Sequence, residues 1–123
     1  EIFPITSGIY SGLRLLEILS KSDRNLFEML NELPKYYKTD EIRIATKDEI
    51  KYEVVNQIKN KTIKRNLAYS DIDGVKIKYE DGWALVRASN TGPNLTCIFE
   101  FNTKERLEEI KKEYLDLINL YNN

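Results

Sequence analysis

The residues best equipped for chemistry in this chain are Arg87 and those that follow it, Ser89, Asn90, Thr91, Gly92, Pro93 and Asn94. Arginine presents a planar fork of N–H donors that matches two oxygens of an oxyanion, while Ser, Asn and Thr add neutral donors. A polar bend can also turn several backbone N–H groups toward one point. Such a set suits phosphate above all, each charge-assisted bond contributing roughly 1.5 to 3 kcal/mol. The competing reading is a solvated hairpin loop that binds nothing. Other chemistries find few residues. Histidine is absent, which removes the commonest general base, the Ser-His triad and most zinc sites. Cys97 is the single cysteine and sits in an apolar strand pattern, so it is expected to be a buried structural thiol in a reducing compartment. Asp71 and Asp73, just before Gly74 and a strand, fit turn chemistry better than a metal pair.

The elements that would hold these residues follow from periodicity. Val75, Ile77 and Tyr79 alternate with Lys76, Lys78 and Glu80 as in a half-buried strand. Asp81-Gly82 is a favoured two-residue turn and would place Tyr79 opposite Ala84, Ile77 opposite Val86 and Val75 opposite Ala88. Arg87 then projects from the opposite, polar side. A third strand is expected from Leu95 to Phe101, although the loop length alone leaves open which face Leu95, Cys97, Phe99 and Phe101 take.

Upstream, Ser7 can cap a helix carrying Ile9, Leu13, Leu16 and Leu19 on one side. Ser22 or Asp23 would cap a shorter one with Leu26, Met29, Leu30 and Leu33 as its buried stripe, ended by Pro34. Lys35 to Thr46 reads as a first strand. Thr46 and Glu49 have capping-box spacing ahead of a helix with Ile50, Val54 and Ile58 on one face. Residues 63–72 read as a connection, with a short edge strand as an option. Asn102 and Glu105 repeat the capping spacing before a last helix lined by Leu107, Ile110, Tyr114, Leu117, Ile118 and Tyr121. Strand, helix, three strands, helix is satisfied by an α+β fold, an antiparallel four-stranded sheet with helices packed on one face, preceded by the N-terminal helical hairpin.

Composition bounds the partners. The chain has 123 residues, 41% hydrophobic and 32% charged, with a net charge of -1, which describes one globular domain with an appended element. No global field draws it to nucleic acid or to an anionic membrane, and Lys104, Lys111 and Lys112 interleave with acidic residues as on a wet helix face. No apolar run approaches the roughly 18 residues that span a bilayer, so a cytoplasmic location is expected. Glu1-Ile2-Phe3-Pro4, without an initiator methionine, reads as the interior of a longer chain.

The segment from Asp81 to Glu100 closely resembles the C-terminal domain of the α-D-phosphohexomutases, the phosphomannomutase/phosphoglucomutase family. That domain carries an Arg-x-Ser-Asn/Gly-Thr-x-Pro phosphate loop preceded by Asp-Gly-Trp, matched here by Arg87, Ser89, Asn90, Thr91 and Pro93 after Asp81, Gly82 and Trp83. Gly92 stands where many relatives have Glu, so no role of that carboxylate carries over. Asn90 is more similar to the phosphomannomutase/phosphoglucomutase branch than to the phosphoglucosamine mutases. Gly8, Ile9, Leu13, Arg14, Leu15, Leu16 and Glu17 resemble the helix that ends the family's third domain, with Ser7 in place of the usual Asp.

The resemblance implies that residues 1–34 are the helical end of a preceding domain and residues 35–123 a phosphate-binding domain of TATA-binding-protein-like architecture. It implies a parent isomerase that interconverts hexose 1-phosphate and 6-phosphate, of glucose or mannose, through a phosphoserine and a bisphosphorylated sugar. Arg87, Ser89, Asn90 and Thr91 would hold the substrate's non-reacting phosphate. The serine loop, the Mg2+ loop and the sugar contacts of the family belong upstream of Glu1, so no catalytic residue, metal or turnover is expected of this chain alone. Its partners are a phosphosugar and the upstream domains. A stand-alone anion-binding module is the alternative function, and a nucleic-acid binder on a similar sheet a weaker rival.

Overall fold

A computed structural model describes residues 7–122, so the reading of Glu1 to Pro4 lies outside the described residues. The chain divides into two compact units, one running to Pro34 and one beginning at Lys35.

In the first unit, helix α1 spans Gly8–Ser20 with Ser7 as its cap, the Ser7 hydroxyl accepting from the Tyr10 N–H. Helix α2 spans Leu26–Asn31 and is capped by Asn25, not by Ser22 or Asp23. Asn25 and Glu28 each accept the other's backbone N–H, and this reciprocal box satisfies two orphan donors where either earlier residue would satisfy one. The stripe expected to be buried is open, with Leu26, Leu30 and Leu33 exposed and Ile9, Leu13 and Leu16 exposed on α1. Two short helices offer no second layer to cover their own apolar faces.

The second unit is an antiparallel sheet with both its helices on one face. Strands β1 (Tyr37–Lys38), β2 (Ile42–Ala45), β3 (Tyr69–Ser70), β4 (Val75–Tyr79), β5 (Gly82–Ala88) and β6 (Asn94–Phe101) lie in the order β1, β6, β5, β4, β3, with β2 also on β6. The strand count exceeds four because the expected first strand is broken into β1 and β2. Thr39 causes the break, its N–H donating to the Phe99 carbonyl and its hydroxyl accepting from the Phe99 N–H. The optional edge strand is the two-residue β3.

Helices α3 (Lys51–Lys64) and α4 (Lys104–Asn122) cover this sheet. Val54 and Ile58 of α3 and Leu107, Ile110, Tyr114 and Ile118 of α4 are buried with Val75, Ile77, Ala84 and Val86 of the sheet. Leu95, Cys97, Phe99 and Phe101 join the same core, because their partners on β5 are Ala88, Val86, Ala84 and Gly82. The face left open by loop length is thereby fixed by register. Both capping expectations move. Thr103, not Asn102, caps α4 through its hydroxyl and the Arg106 N–H. Thr46 gives its N–H to the Pro93 carbonyl and its hydroxyl to the Ile44 carbonyl, so it stays with the sheet and α3 starts later, at Lys51.

The hairpin pairs differently from expectation. Tyr79 lies opposite Gly82 and Ile77 opposite Ala84, leaving Glu80-Asp81 as the turn. The shift is two residues, a full pleat, so every side chain keeps its face. Gly82 is required by crowding, since a Cβ there would lie 2.2 Å from the Glu100 carbonyl oxygen and 2.5 Å from the Phe101 ring. Among the described residues no helix is long and apolar enough to cross a membrane.

Candidate functional site

Arg87 lies on β5 directly opposite Thr96 of β6, on the sheet face opposite α3 and α4 because its neighbours Val86 and Ala88 fill the core. The bend from Ser89 to Pro93 follows, closed by the Ser89 N–H donating to the Asn94 carbonyl at 2.9 Å and the Asn94 N–H to the Gly92 carbonyl at 2.9 Å. Inside it the Thr91 N–H donates to the Ser89 hydroxyl at 3.3 Å, and the two hydroxyls are 3.4 Å apart.

Arg87, Ser89, Thr91 and Gly92 line one cavity of about 300 Å³. Asn94, Thr96, Glu41 and Arg43 complete its wall. Asn90 is placed elsewhere, lining a second concavity with Tyr52, Asn56 and Lys59. The structure thus gathers three of the four residues singled out in the sequence, and the fourth does not line that cavity. The Ser89 carbonyl points at Lys51 and the peptide bonds of the described residues are trans, so the Asn90 N–H points the opposite way, away from α3.

Lys51, at the first turn of α3, fixes this arrangement. Its ammonium donates to the Ser89 carbonyl at 2.6 Å and the Gly92 carbonyl at 3.3 Å, and pairs with Asp48 at 2.7 Å. Lys51 is only 6% exposed. A buried ammonium is costly unless its donors are met, and three N–H groups here have three acceptors. Nothing local in the sequence marks this residue, since its carbonyl partners lie 38 and 41 positions away.

The cavity's charges are held loosely. Arg87 pairs with Asp73 at 3.2 Å, with the arginine side chain 37% and the aspartate 65% exposed, an ion pair of the surface kind that contributes little and exchanges readily. Gly74 makes room for the arginine, having φ +79° and a position where a Cβ would come within 2.4 Å of the Arg87 Cβ. Glu41 accepts from the Thr96 hydroxyl at 3.3 Å, and Arg43 stands 3.7 Å from the same carboxylate oxygen. The alternation of Glu41-Ile42-Arg43-Ile44 was enough to put Glu41 and Arg43 on one face, but nothing in it named the strand they would join.

The donor set does not fit a metal. Asp71 is turned to Lys59 at 2.7 Å, whose ammonium holds that carboxyl below its usual range, and Asp73 is turned to Arg87. Among the described residues no three His, Cys, Asp or Glu converge. Burial pushes the Cys97 thiol up to about 12, so it is not a nucleophile at neutral pH. What the cavity can do is hold an anion.

Comparison with known proteins bears on the setting of this cavity. The model of the phosphoglucomutase/phosphomannomutase C-terminal domain matches residues 41–117. Phosphomannomutase/phosphoglucomutase of Pseudomonas aeruginosa is 38% identical over 109 residues, 89% of this chain and 24% of that one. Phosphoglucomutase of Neisseria meningitidis serogroup B is 38% identical over 118 residues, 94% of this chain and 25% of that one. A crystal structure of a phosphoglucomutase/phosphomannomutase family protein from Burkholderia thailandensis superimposes with a TM-score of 0.77 at 26% identity, covering 98% of this chain and 25% of that one. The chain thus spans about a quarter of the length of these relatives.

Proposed function

The chain belongs to the phosphoglucomutase/phosphomannomutase family, as its C-terminal domain, and from that premise we propose that its cavity holds the non-reacting phosphate of a hexose phosphate. The supporting observation is that Arg87, Ser89 and Thr91 line one cavity on the open sheet face while the loop carbonyls are turned to Lys51. Two loop carbonyls are thereby drawn away from the anion, while the guanidinium and the two hydroxyls stay on its side. In the parent enzyme, hexose 1-phosphate and 6-phosphate of glucose or mannose are interconverted by a phosphoserine lying in the upstream domains, where Mg2+ also binds. Grip on the remote phosphate orients the reacting end and spends binding energy on the transition state.

Residues 1–34 serve as the helical end of the domain before it and residues 35–123 as the phosphate holder, in the cytoplasm. Alone, the chain binds phosphate without turning over sugar. The test is a titration of the chain with inorganic phosphate followed at the amides of residues 87–92. Saturable shifts that Arg87→Ala abolishes are expected. Equal shifts in the variant, or turnover by the purified chain, would refute the assignment.

A further inference from the structure

We propose that Arg43 is a second guanidinium of the phosphate cavity, and that with Arg87 it selects phosphate monoesters over diesters. The proposal rests on the phosphate reading above and adds to it a residue outside the loop.

Register supplies the geometry. Arg43 lies opposite Thr96 and Thr96 lies opposite Arg87, so the three stand in a row across β2, β6 and β5. Both arginines line the same cavity. Two strand spacings, roughly 10 Å, separate their backbones, and long side chains rising from either side can meet a phosphoryl group above the threonine. Thr96 is 3% exposed, a floor beneath them.

Arg43 is only loosely held. Its side chain is 71% exposed and its ion pair with Glu41 is long, at 3.7 Å, beyond hydrogen-bonding distance and of the surface kind that exchanges readily. Glu41 meanwhile accepts from Thr96, so its carboxylate occupies donors that an arriving anion would use. Two arginine forks approaching from opposite sides each favour a pair of oxygens. Sharing one oxygen between them still requires three, which a monoester has and a diester lacks. A monoester also carries nearly twice the charge at neutral pH.

The test compares methyl phosphate with dimethyl phosphate on the whole chain at neutral pH, with dissociation constants read from loop amide shifts. The unaltered chain is expected to favour methyl phosphate. Arg43→Ala should weaken methyl phosphate about tenfold or more, the size of a lost charge-assisted bond, and leave dimethyl phosphate little changed. Arg43→Lys, which keeps the charge without the fork, should recover only part of the loss. Unchanged affinities in Arg43→Ala, with binding abolished by Arg87→Ala, would overturn this proposal and leave the phosphate cavity standing. Equal losses on both esters would overturn the selectivity. If the unaltered chain binds neither ester, the phosphate reading falls and takes this one with it.

Discussion

Arg87 depends on a neighbour with no side chain. Gly74 has positive φ and sits where a Cβ would press within 2.4 Å of the Arg87 Cβ and 2.5 Å of the Val86 carbonyl. Gly74→Ala is therefore expected to cost more than about 1 kcal/mol, from backbone strain and overlap together. It should also weaken phosphate binding by displacing the guanidinium, a loss that calorimetric titration beside a thermal melt would separate from simple unfolding. The loop was legible because Arg87 to Pro93 is one uninterrupted run, with types and spacing all in view. Gly74, Arg43 and Lys51 were not legible as parts of the site. Each reaches it through a strand pairing or a helix start, and such contacts between distant positions leave no trace in local spacing.

At the scale of elements, period survived where register did not. Alternation alone puts Val75, Ile77, Ala84 and Val86 on one face, and they share it although the hairpin pairs two residues away from the expected turn. The Asp-Gly signal pointed to a left-handed turn residue, whereas Gly82 answers to the closeness of β6. The Ser7 cap held, but the two caps expected in the sheet unit failed in the same manner. Thr46 and Asn102 have the right neighbours in sequence, but both give backbone N–H groups to other parts of the sheet unit.

The late start of α3 has a consequence for the site, since it sets Lys51 under the loop. Lys51→Met, which keeps length and loses the ammonium, strands the Ser89 carbonyl and leaves the Gly92 carbonyl with the Asn94 N–H alone. It should lower stability by ~1–3 kcal/mol, the cost of buried acceptors left unmet. Faster hydrogen exchange at the Ser89 and Asn94 amides would locate the damage in the loop, and unchanged exchange there would contradict the stapling role.

Over the whole molecule, the second unit makes its core from its own residues, with Phe99, Phe101, Ile77 and Ile118 fully buried. That core carries groups that resist ionisation. Burial raises the Cys97 thiol from 9.0 to about 12, and burial is also the leading cause that raises the Tyr79 and Tyr114 hydroxyls, which meet at 2.9 Å. Folded values above unfolded ones mean that the unfolded chain loses protons first as pH rises. Stability is then whole below pH 9 and declines between 9 and about 12 for the thiol. Urea midpoints measured from pH ~8 to ~11 should fall, and Cys97→Ala should flatten part of that slope. A flat profile in the unaltered chain would contradict the burial of these groups.

The bend proposed to receive the anion is tied at both ends by β5 and β6, at two carbonyls by one ammonium, and at Pro93 by Thr46. A guest there would meet a backbone already in place, and the ordering left to its arrival would fall on the arginine side chains. Tolerance suffers for the same reason. A backbone so anchored would not remould itself around a bulkier oxyanion, and discrimination by size is the expected consequence.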